Sequence, residues 1–128
     1  MIFDTDVMIW AFRGDEHALD AIDAASSRAI SAVTYMELLQ SVRDKKEMRQ
    51  MNRFLSQLEF ATLPTTANIS SRAISIMEAS ALKSGIGPCD AMIFATACET
   101  GDTLMSGNDK HFKEVPMLDA IRFRPVAR

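Results

Sequence analysis

The sequence predicts an α/β fold, a parallel sheet of four to five strands flanked by helices on both faces. Short strand-like apolar runs alternate with helical stretches along the whole chain, which is the pattern of strand–helix–strand units. Each run is only three to five residues long and is closed by capping or turn residues. The chain has 128 residues, 48% of them apolar and 24% charged, enough for the core of a single domain over residues 1–128.

The first strand is expected over residues 2–4, where an apolar start ends at Asp4. Thr5 is placed to cap a helix over 6–12, with Arg13 and Gly14 as its stop. Asp15 caps a second helix running to about residue 25, and residues 28–31 form a second strand. Ser31 or Ala32 then opens a helix carrying Tyr35, Glu37, Leu38 and Leu39. Asp44 caps the next, where Met48, Met51, Phe54, Leu55 and Leu58 recur at helical spacing. That stripe is either core or a groove for a partner helix. Residues 59–63 read as a third strand stopped by Pro64. Thr65 or Thr66 opens a long helix to about residue 84, closed by Gly85, with Ile69, Ala73, Ile76, Met77 and Ala81 on its buried face. After a turn over 85–88, a helix begins near Pro88 or Cys89 and carries Asp90 in its first turn, where the helix dipole favours a carboxylate. Residues 103–106 form a fourth strand and 121–124 a fifth.

This layout says where a site should be. Open parallel sheets bind ligands beyond the carboxyl ends of their strands. Asp4 ends the first strand, Asn108 and Asp109 follow the fourth, and Glu37 and Asp90 lie early in helices at that edge. All four acids border apolar segments, where a carboxylate loses hydration and needs compensation. Converging carboxylates repel unless a cation lies between them. A divalent metal site for metal-assisted hydrolysis satisfies both conditions. Taken singly, each acid has a plainer role. Asp4 could be a helix cap, Glu37 a partner of Arg28 or Arg43, Asp90 a dipole residue, and Asp109 a turn residue.

The net charge of −3 argues against a polyanionic partner only until its distribution is considered. Arg43, Lys45, Lys46, Arg49 and Arg53 share one segment, and Arg122, Arg124 and Arg128 gather at the end. Such a stripe either holds a phosphate backbone or is a solvated face with intrahelical pairs to Glu47. No apolar run approaches the ~20 residues that span a bilayer, so no membrane partner is expected. The N-terminus, interrupted by Asp4 and Asp6, is a poor signal peptide. Cys89 and Cys98, on one expected helix, lie too far apart for a disulfide, which suits a reducing, cytoplasmic location. The nine methionines read as core filling. His111 is expected to pack near Phe112, His17 to lie on a helix surface, Trp10 and Phe12 to pack against neighbours, and Tyr35 to belong to the core.

Four segments in order carry a family resemblance: IFDTDVMI at 2–9, ISAVTYMEL at 30–38, GPCDAMIFATA at 87–97 and LMSGNDKHF at 104–112. Together they resemble the motifs of PIN domains, and in particular of VapC-type toxins from toxin–antitoxin pairs. Two departures stand out. Asp6 occupies a position where that family usually has Asn, and in the fourth segment either Asn108 or Asp109 fills the last site position.

The resemblance implies an endoribonuclease dependent on Mg2+ or Mn2+. Asp4 and Asp90 would be direct ligands, Glu37 a ligand or the group orienting the attacking water, and Asp109 or Asn108 the holder of a water or a second ion. Thr5, Asp6 and Ser106 would act as supporting groups around these. The resemblance further implies an RNA substrate, a cognate antitoxin contacting Met48, Met51, Phe54 and Leu55, and a homodimer. Two other readings compete. The Asp-x-Asp of Asp4 and Asp6 also resembles the opening of a haloacid-dehalogenase-like phosphatase, which needs a later lysine such as Lys83 or Lys110. A non-catalytic module that binds RNA or protein would retain the fold without cleavage.

Overall fold

A computed structural model describes residues 1–126. Five parallel strands, β1 (Ile2–Phe3), β2 (Ala29–Ser31), β3 (Ala61–Leu63), β4 (Leu104–Ser106) and β5 (Ala120–Arg122), line up in the order β3-β2-β1-β4-β5. The helices are α1 (Thr5–Phe12), α2 (Glu16–Ala24), α3 (Ala32–Ser41), α4 (Lys45–Gln57), α5 (Ala67–Ser84), α6 (Pro88–Thr100) and the short α7 (Asp109–Phe112). Arg128, assigned above to a basic C-terminal group, lies outside the described residues.

Successive strand residues point to opposite faces, and the two cores follow that alternation. Ile2, Ala29 and Leu104 pack with α5 and α6 on one face. Phe3 and Ile30 pack with α1, α2 and α4 on the other, where Met105 joins them part-buried. The chain therefore has helices on both faces, as the alternation requires. Among the described residues no helix is long and apolar enough to cross a membrane.

Most capping assignments agree with the sequence reading. Asp15, Ser31, Asp44 and Thr66 accept from the backbone N–H three residues on, and Gly85 closes α5 in the left-handed region at φ 70°. The first helix differs. Asp4, not Thr5, is its cap, and Thr5 is its first helical residue. The Thr5 hydroxyl is committed elsewhere, to Glu37, while an Asp4 oxygen accepts the Thr5 N–H at 2.7 Å.

The stripe on α4 is mostly core. Met51 is 1% exposed and Leu55 7%, and Phe54 stacks edge-on against Phe12, so these side chains serve the chain's own packing. Of the four residues assigned to an antitoxin, only Met48 is exposed. Helical periodicity cannot distinguish an internal partner from an external one, and here α1 and the sheet are the partner. Tyr35 is half-buried, with its hydroxyl donating to Asn52 at 2.7 Å. Trp10 packs part-buried in the same cluster, and His17 is exposed.

Candidate functional site

The chain leaves β1 for the β2–β3 side of the sheet and later crosses to place β4 on the other side of β1. The gap between the ends of β1 and β4 is thus the switch point of the sheet, where loops diverge and leave a crevice. A cleft of about 470 Å³ opens there, lined by Asp4, Thr5, Asp6, Ile9, Glu37, Asp90, Gly107 and Asn108.

Asp4 is at its base, 5% exposed. One carboxylate oxygen accepts the Thr5 N–H and the other accepts the Ser106 hydroxyl, at 2.7 Å each. Burial, then the neighbouring Asp6, push its pKa from 3.8 up to about 7. The bonds from Ser106 and Thr5 pull it down, and Asp90 adds a further upward push. Glu37 reaches the cleft from α3, held by the Thr5 hydroxyl at 2.6 Å. That hydroxyl also lies 3.1 Å from Thr34 Oγ1, which Ser31 supports in turn. Asp90 occupies the first turn of α6 behind Pro88, with its side chain one-third exposed.

Asp6 sits beside these acids and is held by backbone. Its two oxygens accept the N–H groups of Val7 at 2.8 Å and Gly107 at 2.9 Å. Burial raises its pKa, while those N–H groups and the charge of Arg124 oppose the rise. A Cβ at Gly107 would stand 2.5 Å from Asp6 Oδ2, so a side chain there would push the Asp6 carboxylate off its bond to the Gly107 N–H.

The structure brings Asp4, Glu37, Asp90 and Asn108 together, with Thr5 and Asp6, and places Ser106 directly beneath Asp4. It does not bring Asp109 to the cleft wall. That carboxylate is bound by Arg124 at 2.6 Å, with Lys113 and Arg122 at 3.8 and 3.9 Å, and the Arg124 bond holds its pKa below the usual value. The alternative partners of Glu37 are occupied elsewhere. Arg28 donates to the carbonyls of Ile22 and Leu58, and Arg43 pairs with Glu47.

Three contributors were not legible as site residues. His111 Nδ1 lies 3.0 Å from Asn108 Nδ2 and 3.5 Å from Asp90 Oδ2, so the ring borders the site as well as packing near Phe112. Gly107 and Arg124 both act through backbone atoms of one turn. Only the Gly107 neighbourhood carries a local signal, the turn-forming Ser-Gly-Asn-Asp.

The donor set fits a hydrated hard cation. Asp4 and Glu37 pair with no Lys or Arg among the described residues, and apart from Ile9 the side chains lining the cleft offer oxygen or amide groups. Among the described residues no three acids, cysteines or histidines stand close enough to form a ready cage. Mg2+ does not need one, since it keeps several waters and uses one or two carboxylates directly.

A PIN domain family model matches residues 1–118, and the chain belongs to that family. A toxin–antitoxin complex from Klebsiella pneumoniae contains a chain 27% identical to this one, with 94% of each chain covered and a TM-score of 0.74. The VapBC2 complex from Rickettsia felis, bound to a promoter DNA fragment, matches at 20% identity over 97% of this chain and 100% of its own, with a TM-score of 0.81. DNA-bound VapBC from Salmonella typhimurium matches at 23% identity over 94% and 96%, with a TM-score of 0.80. These last two likenesses are of fold. No curated protein matches the sequence.

The Asp4 pKa has a consequence for stability. The folded, metal-free protein keeps a proton that the unfolded chain releases above about pH 4, so stability falls as pH rises from about 4 through about 7. Asp4→Asn should flatten this fall and stabilise the metal-free protein at pH 8 by at most about 4 kcal/mol. Denaturant unfolding in chelator from pH 4 to 8 measures it, and parallel profiles for the two proteins would exclude Asp4 as the cause.

Proposed function

We propose that this chain is a VapC-type toxin, a single-domain endoribonuclease that uses Mg2+ or Mn2+ to hydrolyse RNA phosphodiester bonds. The carrying observation is the carboxylate cleft at the β1–β4 switch point, in a chain of the PIN family. Asp4, Asp90 and Glu37 would hold the ion, whose chemistry is to polarise the phosphoryl group and acidify water. Thr5 fixes the Glu37 carboxylate, Ser106 fixes that of Asp4, and Asn108 offers an amide to a phosphate oxygen or a water.

The basic face of α4 supports a polyanionic substrate. Glu47 is paired with Arg43, which leaves Lys45, Lys46, Arg49 and Arg53 exposed without ion pairs among the described residues. Intrahelical pairing therefore does not account for them, and they supply the attraction a phosphate backbone requires. No lysine lines the acid cleft, which removes the main support for a phosphatase using Asp4 and Asp6. The cysteines are free, consistent with action in the cytoplasm. A binding module without catalysis remains the competing reading, and cleavage decides between them. A mixed pool of transfer and ribosomal RNA should be cut by the purified chain with Mg2+ or Mn2+. Asp90→Asn or EDTA should reduce cutting by roughly a hundredfold or more. Persistent cutting in the variant would show that the site is wrongly placed.

A cognate antitoxin fits a second groove of about 460 Å³, lined by Ile9, Phe12, Arg13, Ser41, Arg43, Glu47 and Met51. Ile9 lines this groove and the acid cleft alike, so the two adjoin. A mixed lining, with Ile9, Phe12 and Met51 beside an Arg13 that has no ion pair among the described residues, suits an amphipathic segment carrying a carboxylate. Arg13→Glu should weaken antitoxin binding about tenfold or more without lowering the melting temperature. Unchanged affinity in a calorimetric titration would exclude the groove.

The expected homodimer would cover the exposed Ile74 and Leu82 of α5 and the apolar hollow that Ile74 forms with Met77 and Met92. Light scattering that shows only monomer at high concentration would rule it out.

A further inference from the structure

Arg124 follows β5 and touches none of the acids that line the cleft, yet it is tied to the turn that completes it. One guanidinium nitrogen donates to the carbonyl of Gly107 at 2.9 Å and to that of Phe123 at 2.8 Å. The other donates to Asp109 at 2.6 Å. The Gly107–Asn108 peptide is therefore gripped on both sides. Its carbonyl accepts from Arg124, and its N–H donates to Ser106 Oγ at 3.0 Å. The Ser106 hydroxyl, oriented by that N–H, donates in turn to Asp4 Oδ2 at 2.7 Å. A cation, a peptide dipole and a hydroxyl thus stand in series, each polarising the next toward the Asp4 carboxylate.

The mount of Arg124 is itself fixed. Phe123 N–H donates to the Ser106 carbonyl at 2.8 Å, continuing the β4–β5 ladder. The Arg124 carbonyl lies 3.1 Å from His17 Nδ1, and the Val126 N–H donates to Asp15 at 2.9 Å. The segment after β5 is so strapped to the α1–α2 turn. By holding Asp109, Arg124 also keeps that carboxylate away from the cleft and leaves Asn108 facing it.

We propose that Arg124 is a positioning residue that sets the geometry of the Asp4 carboxylate through the Gly107–Asn108 peptide and Ser106. The proposal rests on the metal-dependent reading above, and its test separates the two. Mn2+ affinity is measured without RNA for the wild type, Arg124→Gln, Ser106→Ala, their double variant and Arg124→Lys, with thermal unfolding as the control for folding. Each single loss should weaken Mn2+ binding roughly tenfold or more, the range for groups that orient a metal ligand. The double variant should be no worse than the weaker single one, because both act through one chain, and Arg124→Lys should recover part of the loss. An Arg124→Gln affinity within about twofold of the wild type, or losses that multiply in the double variant, would overturn the proposal. If the wild type binds no Mn2+, the metal reading fails and hydrogen exchange of the Asn108 amide judges the clamp alone. Exchange about tenfold or more faster in Arg124→Gln supports it, and unchanged exchange refutes it.

Discussion

The structure is organised around one electrostatic constraint, a buried carboxylate with no basic partner among the described residues. Asp4 is 5% exposed, caps α1 and accepts from Ser106 across the switch point. Those two bonds satisfy its oxygens but do not neutralise its charge, and Asp6 and Asp90 add to the repulsion. Folding that gathers such groups works against itself unless something outside the chain compensates. The surrounding order reflects this. Thr5, Thr34 and Ser31 form a hydroxyl chain behind Glu37, and Ser106 with the Gly107–Asn108 peptide forms another behind Asp4. Carboxylates held in place by hydroxyls, as Asp4 and Glu37 are, suit a cation that arrives largely hydrated.

Much of this was readable from the chain, and the reasons are local. Strand positions followed from short apolar runs, and the caps Asp15, Ser31, Asp44 and Thr66 from residue chemistry acting over three positions. Asp4, Glu37 and Asp90 were legible because an acid beside an apolar run is conspicuous, and the alternation of strands and helices placed all three at one edge. What stayed hidden depended on distant pairs. Asn108 lines the cleft while Asp109 pairs with Arg124, fifteen positions further on and at another strand's end, a contact its own neighbourhood does not announce. Whether the α4 stripe is core or interface is decided by α1 and Phe12, not by its own spacing. The cap of α1 was misread because Thr5 looks like a cap, and only the contact with Glu37 shows its hydroxyl to be engaged.

Asp6 illustrates how one departure from a family pattern is absorbed. An amide at that position has a single acceptor oxygen, whereas Asp6 uses both oxygens on the N–H groups of Val7 and Gly107. The extra charge is thereby spread onto backbone dipoles, with Arg124 nearby as a longer-range partner. The demand this creates falls on Gly107, where any side chain would collide with the Asp6 carboxylate.

The same electrostatics join the cleft to the basic face of α4. A cleft lined by four acids repels a phosphodiester, so the carboxylates alone cannot be the binding surface for a nucleic acid. Lys45, Lys46, Arg49 and Arg53, exposed and without ion pairs among the described residues, provide attraction that reaches about a Debye length, ~8 Å. Under the proposed function the two features are complementary. The ridge raises the local concentration of the polyanion, and a divalent ion reverses the sign of the field where the scissile phosphate must lie. Neither suffices alone, because a ridge without an ion holds RNA away from the acids, and an ion without a ridge leaves a weak, uncollected encounter. The adjoining groove shares Ile9 with the cleft and takes Glu47 and Met51 of the same basic helix into its wall, so the ridge, the groove and the cleft form one continuous face.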